Sequence, residues 1–156
     1  MTTEFLADHP EFIPTVAHWL HEEWSHLRPN ETSDDRIARV ECACGQHEIP
    51  TTFVAIDGDQ PVGCASLIEC DMLTRPDLSP WLAGVFVPCE CRRRGIGAVL
   101  VNRVTQEARS LGFPRIYLYT PGSGTLYLRL GWNVVERTFY HELWGDTPIT
   151  IMDFVT

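Results

Sequence analysis

The chain contains no lysine, so each of its twelve basic side chains is an arginine guanidinium. It also has no apolar run near the roughly 20 residues that span a bilayer, so we expect no membrane partner. Its first residues, MTTEFLADHPEF, carry neither a basic nor an apolar segment, which predicts a chain without an export signal. Its six cysteines are too few for a disulfide scaffold at 156 residues, and they indicate reduced thiols in the cytoplasm.

Charge is distributed unevenly along this chain, whose net charge is −9. Residues 1–60 carry twelve acidic side chains and three arginines, whereas residues 91–129 carry seven arginines and a single acid, Glu107. The acidic first segment argues against a nucleic-acid partner and suits a cationic small substrate. The later segment indicates a local anion site, although a solvated charged face gives the same pattern.

The hydrophobic patterns predict an α/β (α+β) fold in a single domain spanning residues 1–156. The predicted element order is β-α-α-β-β-β-α-β-α-β-β, with Ser33 capping the second helix. WLAGVFV (81–87) has the apolar continuity of a strand buried on both faces. An amphipathic helix follows from Ile96 to Leu111, and RIYLYT (115–120) follows it as a strand. This strand–helix–strand segment predicts a parallel crossover within one central sheet.

The stretch PCECRRRGIG (88–97) joins the WLAGVFV strand to that amphipathic helix. The first amides of a helix have no intrahelical partner, and the helix dipole adds positive charge there, so this junction favours an anion such as a phosphate. Gly95 and Gly97 allow close backbone approach. The dinucleotide pattern G-x-G-x-x-G is not met because Leu100 occupies its last position, and no Walker lysine is present.

Two motifs resemble the signatures of the GNAT superfamily of N-acetyltransferases. RRRGIG (92–97) fits its pattern of Arg or Gln, two variable residues, Gly, one variable residue, and Gly or Ala. LYLRLGW (126–132) fits its second pattern, in which Tyr is followed by three variable residues, Gly and an aromatic residue. The order and separation of the motifs, and the element order over essentially the whole chain, are also similar.

The resemblance implies a mixed central sheet with helices on both faces, in which WLAGVFV and RIYLYT splay apart. It implies an acyltransferase that moves an acetyl group from acetyl-CoA, as co-substrate, to a primary amine by direct transfer. Tyr127 matches the tyrosine that protonates the departing thiolate in many members, and a phenol is a suitable acid for that step. The other residues implied for cofactor binding are Val85, Phe86, Val87, Arg92, Arg93, Arg94, Gly95, Ile96, Gly97, Ala98 and Thr120.

Two positions depart from the superfamily pattern. Cys89 stands where many members carry proline, which here falls one residue earlier, at Pro88. Thr120 stands where many members carry an asparagine, seven residues before the tyrosine. The first change predicts a slightly altered loop, and the second a different side-chain contact to the cofactor.

An amine must lose a proton before it attacks a thioester, so the site requires a proton acceptor. Glu69 and Asp71, at the end of VGCASLIECD, are the expected catalytic bases. Glu22, Glu23 and His26, near the end of the first long helix, are the expected wall of the acceptor site. Together these residues predict an acidic acceptor pocket for a cationic amine.

Trp81 is expected to contact the acceptor through apolar or cation–π interactions, with a place in the core as the alternative. Acceptors that suit such a pocket include a polyamine, an aminoglycoside-like compound and a peptide N-terminus. A protein or peptide N-terminal acetyltransferase is therefore an alternative function, and a non-catalytic acyl-CoA sensor is another. ITIMDFV (149–155) is an expected pairing edge for a homodimer.

The cysteine pairs raise a different interpretation, in which Cys42, Cys44, Cys89 and Cys91 hold zinc. Zinc ligand pairs are usually spaced C-x₂₋₄-C, and C-x-C does not readily point both sulfurs at one ion. His18, His21 and Glu22 share a helical face but do not form H-E-x-x-H, so we expect no metal. Cys91 beside three arginines leaves an acetyl-cysteine intermediate as an alternative to direct transfer.

Overall fold

Seven strands form one sheet in the computed structural model, which describes residues 1–156. The sheet order is β1-β2-β3-β4-β5-β7-β6, and every neighbouring pair is antiparallel except β4 and β5, which are parallel. The strands are β1 (Thr2–Phe5), β2 (Thr51–Asp57), β3 (Gln60–Ile68), β4 (Trp81–Phe86), β5 (Arg115–Pro121), β6 (Asn133–Phe139) and β7 (Pro148–Val155).

Helices cover both faces of this sheet, as the sequence predicts. The helices are α1 (Ile13–Trp24), α2 (Ser33–Cys42), α3 (Ile96–Ser110), α4 (Thr125–Arg129) and α5 (His141–Trp144). Helices α1 and α2 pack on one face of the sheet. Helix α3, which follows β4 and precedes β5 in the chain, packs on the other face. None of these helices combines the length and the apolar character that a membrane crossing requires.

The two faces of β2 show how the core is divided. Phe53 and Ala55 belong to the cluster that packs against α3, whereas Val54 and Ile56 belong to the cluster beneath α1 and α2. All four side chains are buried, because successive strand residues point to opposite faces and each face has a helix over it. Burying an aliphatic or aromatic side chain of this size stabilises the fold by about 1.5–3 kcal/mol.

Strand β4 differs from the prediction that it is buried on both faces. Trp81 and Leu82 are buried, but the next four residues are only half-buried. The reason is that only the first residue of β4, Trp81, pairs with β5. Its later residues therefore lie along an opening rather than in the middle of a closed sheet.

The C-terminal segment contains two further differences. Strand β7 lies between β5 and β6, so ITIMDFV is not the sheet edge that the sequence predicts, and the outer strands are β1 and β6. The short helix α5 lies between β6 and β7, where the predicted element order has two consecutive strands. Its Trp144 indole N–H donates to the Tyr119 hydroxyl at 3.2 Å, which holds α5 against β5.

The cap of α2 is Thr32, not the expected Ser33. The Thr32 hydroxyl accepts from the Asp35 N–H at 3.1 Å, and the Asp35 carboxylate accepts from the Thr32 N–H at 3.0 Å. This reciprocal pair is a capping box, and it satisfies two amides that the first turn leaves unpaired. The Thr32 hydrogen bonds hold the pKa of the Asp35 carboxyl below its usual value.

We expect Thr32→Ala to lower the free energy of unfolding by about 1 kcal/mol, because the capping hydrogen bond is lost. Ser33→Ala is the matched control, since Ser33 makes no capping bond, and we expect it to change stability by less than about 0.5 kcal/mol. Urea denaturation followed by circular dichroism measures both. A larger loss for Ser33→Ala than for Thr32→Ala would contradict the assignment of the cap.

Candidate functional site

The opening between β4 and β5 is the main feature of the site. These parallel strands are in register only at Trp81 and Tyr117, where the Tyr117 N–H donates to the Pro80 carbonyl at 3.0 Å. Beyond that point the strands diverge. Strand β4 continues to pair with β3 on its other side, so its edge toward β5 is left without a strand partner.

A cleft of about 700 Å³ occupies this opening. Its floor is formed by the diverging strands, and its walls come from α1, α2, α4, α5 and the loops beside them. The free edge of β4 runs along the floor. An extended ligand in the cleft can therefore pair with the backbone as an added strand does.

The loop after β4 turns sharply before α3 begins. A 3₁₀ turn covers Cys89–Cys91, and its backbone hydrogen bonds end at the Arg92 N–H, which donates to Cys89 O at 3.3 Å. Arg93 and Gly95 then adopt left-handed conformations, with φ of 62° and 77°. Left-handed residues in such a turn direct successive N–H groups into one concavity, which is an anion-binding arrangement.

The three consecutive arginines have different roles. The Arg92 guanidinium donates through Nε to the Val87 carbonyl at 2.8 Å, so it braces the loop. Arg94 pairs with Asp57 in the β2–β3 turn at 2.5 Å, and this guanidinium holds the pKa of the Asp57 carboxyl below its usual value. Arg93 is exposed and makes no ion pair or side-chain hydrogen bond, so it is the arginine of the three whose charge is available to a ligand.

The amino terminus of α3 is open. Its cap is Gly95, which has no side chain to bond the first amides, and the first turn contains no acidic residue. A Cβ placed on Gly97 lies 3.6 Å from Leu126 Cδ2, which is an ordinary contact. The protein's own packing therefore does not require glycine there, which is consistent with a ligand that approaches the backbone closely.

Tyr127 lies on α4, on the side of the cleft nearest the loop. Gly122 and Gly124 form the turn before this helix with φ of 87° and 70°, and the Thr150 hydroxyl donates to Gly122 O at 2.8 Å. The Tyr127 ring packs edge-on against Trp132, with centroids 6.1 Å apart, and it also lines the cleft. Burial raises the pKa of its phenol, so the group stays protonated at neutral pH.

Asp71 and Tyr119 lie together elsewhere in the cleft. Burial raises the pKa of Asp71 to about 6, and the Arg28 and Arg39 charges oppose that shift. Burial also raises the pKa of Tyr119 to about 12, with a further contribution from the Asp71 charge. The cleft therefore holds a carboxylate that exchanges a proton close to neutral pH beside a phenol that does not ionise.

Several predicted residues line the cleft together. They are Glu23, His26, Asp71, Val85, Thr120 and Tyr127. The Thr120 hydroxyl donates to the Pro121 carbonyl at 3.2 Å. Phe86 directs its ring away from the floor, toward Trp19 and Trp24 of α1 at 5.7 and 6.4 Å.

The other predicted residues lie outside the cleft lining. On the cofactor side these are Phe86, Val87 and residues 92–98, which form the loop and the first turn of α3. Trp81 is fully buried and its indole N–H donates to Leu78 O at 2.7 Å, so the predicted acceptor contact is wrong and the alternative of a core residue is correct. Glu69 and Glu22 are exposed on the surface outside the cleft lining. Cys91 packs against the α3 cluster and lies outside the cleft lining as well.

The expected acidic acceptor pocket is not what the structure contains, because three arginines line the cleft beside Glu23 and Asp71. They are Arg28, Arg36 and Arg39. The sequence analysis missed them because they lie on and before α2, which carries no recognisable motif. It also missed Tyr119 and Trp144, although the alternation of RIYLYT placed Tyr117 and Tyr119 on one face.

The six cysteines are all free, and no group of three or more His, Cys, Asp or Glu side chains is positioned to hold a metal ion. The two C-x-C pairs therefore do not meet in a common site. Cys42 and Cys70 line the cleft, and Cys89 is exposed on the loop.

Comparisons with known proteins agree with this architecture. The fold is similar to an aminoglycoside 6'-acetyltransferase type Ii, at 24% identity and a TM-score of 0.76, covering 99% of this chain and 97% of that chain. An aminoglycoside 6'-N-acetyltransferase complexed with coenzyme A, at 20% identity, gives a TM-score of 0.77 with the same coverage. The aminoglycoside 6'-N-acetyltransferase from Enterococcus faecium, also 20% identical, gives 0.74 over the same shares of both chains.

No curated protein matches the sequence significantly. The sequence does match a family model, that of the Acetyltransferase (GNAT) family, over residues 13–132. This match covers most of the chain, including the RRRGIG loop and the LYLRLGW motif, which approach each other where Gly97 faces Leu126. The chain belongs to the acetyltransferase (GNAT) family.

Proposed function

We propose that residues 1–156 form a single acetyl-CoA-dependent N-acetyltransferase domain that transfers an acetyl group directly to a primary amine. The observation that carries this proposal is the continuity between the free edge of β4 and the open amino terminus of α3. An extended pantetheine arm followed by a pyrophosphate requires these two features in that order. The structural neighbour solved with coenzyme A, which has the same fold, supports the same choice of ligand.

The cofactor contacts that we propose are mainly backbone contacts. Val85 and Val87 pair with the pantetheine amides along the open edge, and the N–H groups from Arg93 to Ala98 bind the pyrophosphate. Arg93 adds its free charge to this group. Arg92 and Arg94 support the loop from behind, through Val87 O and Asp57.

Tyr127 is the proposed general acid. Its phenol stays protonated at neutral pH because it is partly desolvated, and it lines the cleft into which we propose that the thioester end of the pantetheine extends. A phenol is ordinarily a little less acidic than a thiol and burial weakens Tyr127 further as an acid, so its role is to hold a proton within reach of the thiolate as the carbon–sulfur bond breaks.

Asp71 is the proposed general base. A carboxylate with a pKa near 6 is ionised at pH 7.5 and is a stronger base than an ordinary aspartate. Its pKa is also closer to the working pH, which favours general-base catalysis. Glu69, the other base expected from the sequence, lies on the surface outside the cleft lining. Asp71 is therefore the better supported of the two.

In the reaction that we propose, Asp71 accepts a proton from the bound ammonium group. The neutral nitrogen attacks the thioester carbonyl carbon, and the carbon–sulfur bond breaks. Tyr127 gives its proton to the departing thiolate, and the second proton released by the nitrogen returns through solvent to the phenolate. The products are the acetamide and free coenzyme A, with one proton released to solvent from Asp71.

We expect Gly97→Asp to weaken coenzyme A binding by about tenfold or more, because its carboxylate repels the pyrophosphate at the amino terminus of α3, whereas Gly97→Ala, which the superfamily pattern allows, should bind nearly as well. The melting temperature of Gly97→Asp should stay the same or rise, since an acidic side chain is favourable in the first turn of a helix and the added Cβ meets only Leu126 at 3.6 Å. Isothermal titration calorimetry and thermal unfolding measure the two effects. Unchanged coenzyme A affinity in a folded variant would argue against a phosphate at this position. Val99→Ala, a change on the same helix, is the control and should leave the affinity unchanged.

We expect Tyr127→Phe to lower kcat by about 10²–10⁴-fold, because the leaving thiolate loses its proton donor. The KM for acetyl-CoA should change little, since the phenyl ring still packs on Trp132. Tyr117→Phe removes a hydroxyl outside the cleft lining and is the matched control. Steady-state release of free coenzyme A measures turnover, and full activity in Tyr127→Phe would remove the acid assignment.

We expect kcat/KM to fall as the pH drops below about 6, because Asp71 must be ionised to accept a proton. Asp71→Asn should lose this acid limb and run about 10²–10⁴-fold slower at pH 7.5. Glu69→Gln is the control and should keep both the rate and the profile. An unchanged acid limb in Asp71→Asn would exclude Asp71 as the base.

A further inference from the structure

The ionised groups around the acceptor side of the cleft are balanced in number. Three guanidinium groups line it, and three carboxylates lie on it or directly behind it. The six residues are Arg28, Arg36, Arg39, Glu23, Glu31 and Asp71. Because the charges balance, the group offers no net attraction to a polycation, and its complement is a molecule that carries both signs.

Glu31 forms ion pairs with two of the three arginines. Its carboxylate pairs with Arg36 at 2.5 Å, in a contact whose side chains are 6% and 8% exposed, and it also pairs with Arg39. Both guanidinium groups lower the pKa of Glu31 against the effect of burial. The Glu31 carboxylate therefore already offsets charge on these two guanidinium groups, which line one wall of the cleft.

Arg28 differs from the other two because it takes part in none of the protein's ion pairs. Its backbone is fixed on both sides: its N–H donates to Ser25 O at 3.0 Å, and its carbonyl accepts from the Glu31 N–H at 3.0 Å. The side chain lines the cleft and is exposed to solvent. It is therefore a positioned guanidinium with its donors free.

The same side of the cleft is strongly apolar. Its aromatic and aliphatic lining residues are Trp24, Leu27, Tyr119, Leu143 and Trp144. His26 packs edge-on against Trp144 with centroids 5.7 Å apart. A ligand body that fits between these rings is apolar or aromatic, and its charged groups must lie outside the rings, where they can meet Arg28 and Asp71.

We propose that the acceptor is an amino acid or a close analogue, an amine that also carries a carboxylate, with Arg28 binding the carboxylate and Asp71 facing the amine. This proposal rests on the proposed acetyltransferase function and names its substrate class. It differs from the cationic amine that the sequence suggested. The planar guanidinium of Arg28 matches a carboxylate with two parallel hydrogen bonds, which an amine or amide at the same position cannot accept.

The test compares three matched sets of acceptors with acetyl-CoA and the intact protein. Each set holds an amino acid, its amide and its decarboxylated amine. The first set is alanine, alaninamide and ethylamine, and the second is leucine, leucinamide and isopentylamine. The third is phenylalanine, phenylalaninamide and phenethylamine. The amides mimic a peptide N-terminus, and an aminoglycoside serves as a polycation. We expect kcat/KM to be highest for the free amino acid in at least one set, by about tenfold to a hundredfold over its amide and amine.

Variants of Arg28 test the residue assignment. Arg28→Gln should lower kcat/KM for the amino acid by about tenfold to a hundredfold, mostly by raising KM. The ratio of kcat/KM for the amino acid to kcat/KM for its matched amine should therefore fall. Arg28→Lys should restore part of that ratio because it keeps the charge. Arg109→Gln, an exposed arginine at the far end of α3, is the matched control.

Two results overturn the proposal: equal or faster turnover of the amides or amines in every set, or no turnover of any free amino acid. Calorimetry with coenzyme A on the same samples separates these results from a failure of the proposed function. Tight coenzyme A binding with turnover of the aminoglycoside or the amides keeps the acetyltransferase and removes the amino-acid acceptor. Tight binding with no turnover of any amine supports an acyl-CoA sensor and contradicts both proposals.

Discussion

The parallel pairing of β4 and β5 at a single register position is the constraint on which the rest of the structure depends. Trp81 and Tyr117 hold the strands together at one end, and α3 covers them from one face, so the other end can open without loss of the core. Trp81 is fully buried, and its ring contacts Tyr117 and Tyr119 with centroids 5.9 and 6.3 Å away. A tryptophan that the sequence suggested for ligand contact is instead the fixed point from which the cleft opens.

The chain without lysine uses its arginines for distinct purposes. Arg92 and Arg94 brace the loop before α3, and Arg36 is buried against Glu31. A guanidinium offers several donors in a fixed plane and is more weakly hydrated than an ammonium group, so it suits such bracing positions. Arg28, which lines the cleft, and Arg93, on the loop before α3, form no ion pair.

Local motifs carry the predictions for the cofactor side of the site, whereas the acceptor side depends on distant parts of the chain. The loop and Tyr127 depend on residues close in sequence, so their glycines and arginines carry readable information. The acceptor wall is assembled from the end of α1, from α2, from the segment after β3 and from α5, and these meet only through tertiary packing. Beyond Ile68 the chain leaves the sheet, so strand alternation could not tell that Asp71 enters the cleft while Glu69 does not.

The ion pair between Arg94 and Asp57 links the loop to the turn between β2 and β3. Exposed hairpin turns are ordinarily good places to insert a tag or a second domain, because few contacts cross them. Here Asp57 sits at the start of that turn, beside Gly58 with its φ of 63°. An insertion there would separate Arg94 from Asp57, so a turn that looks suitable for protein engineering is mechanically coupled to the loop before α3.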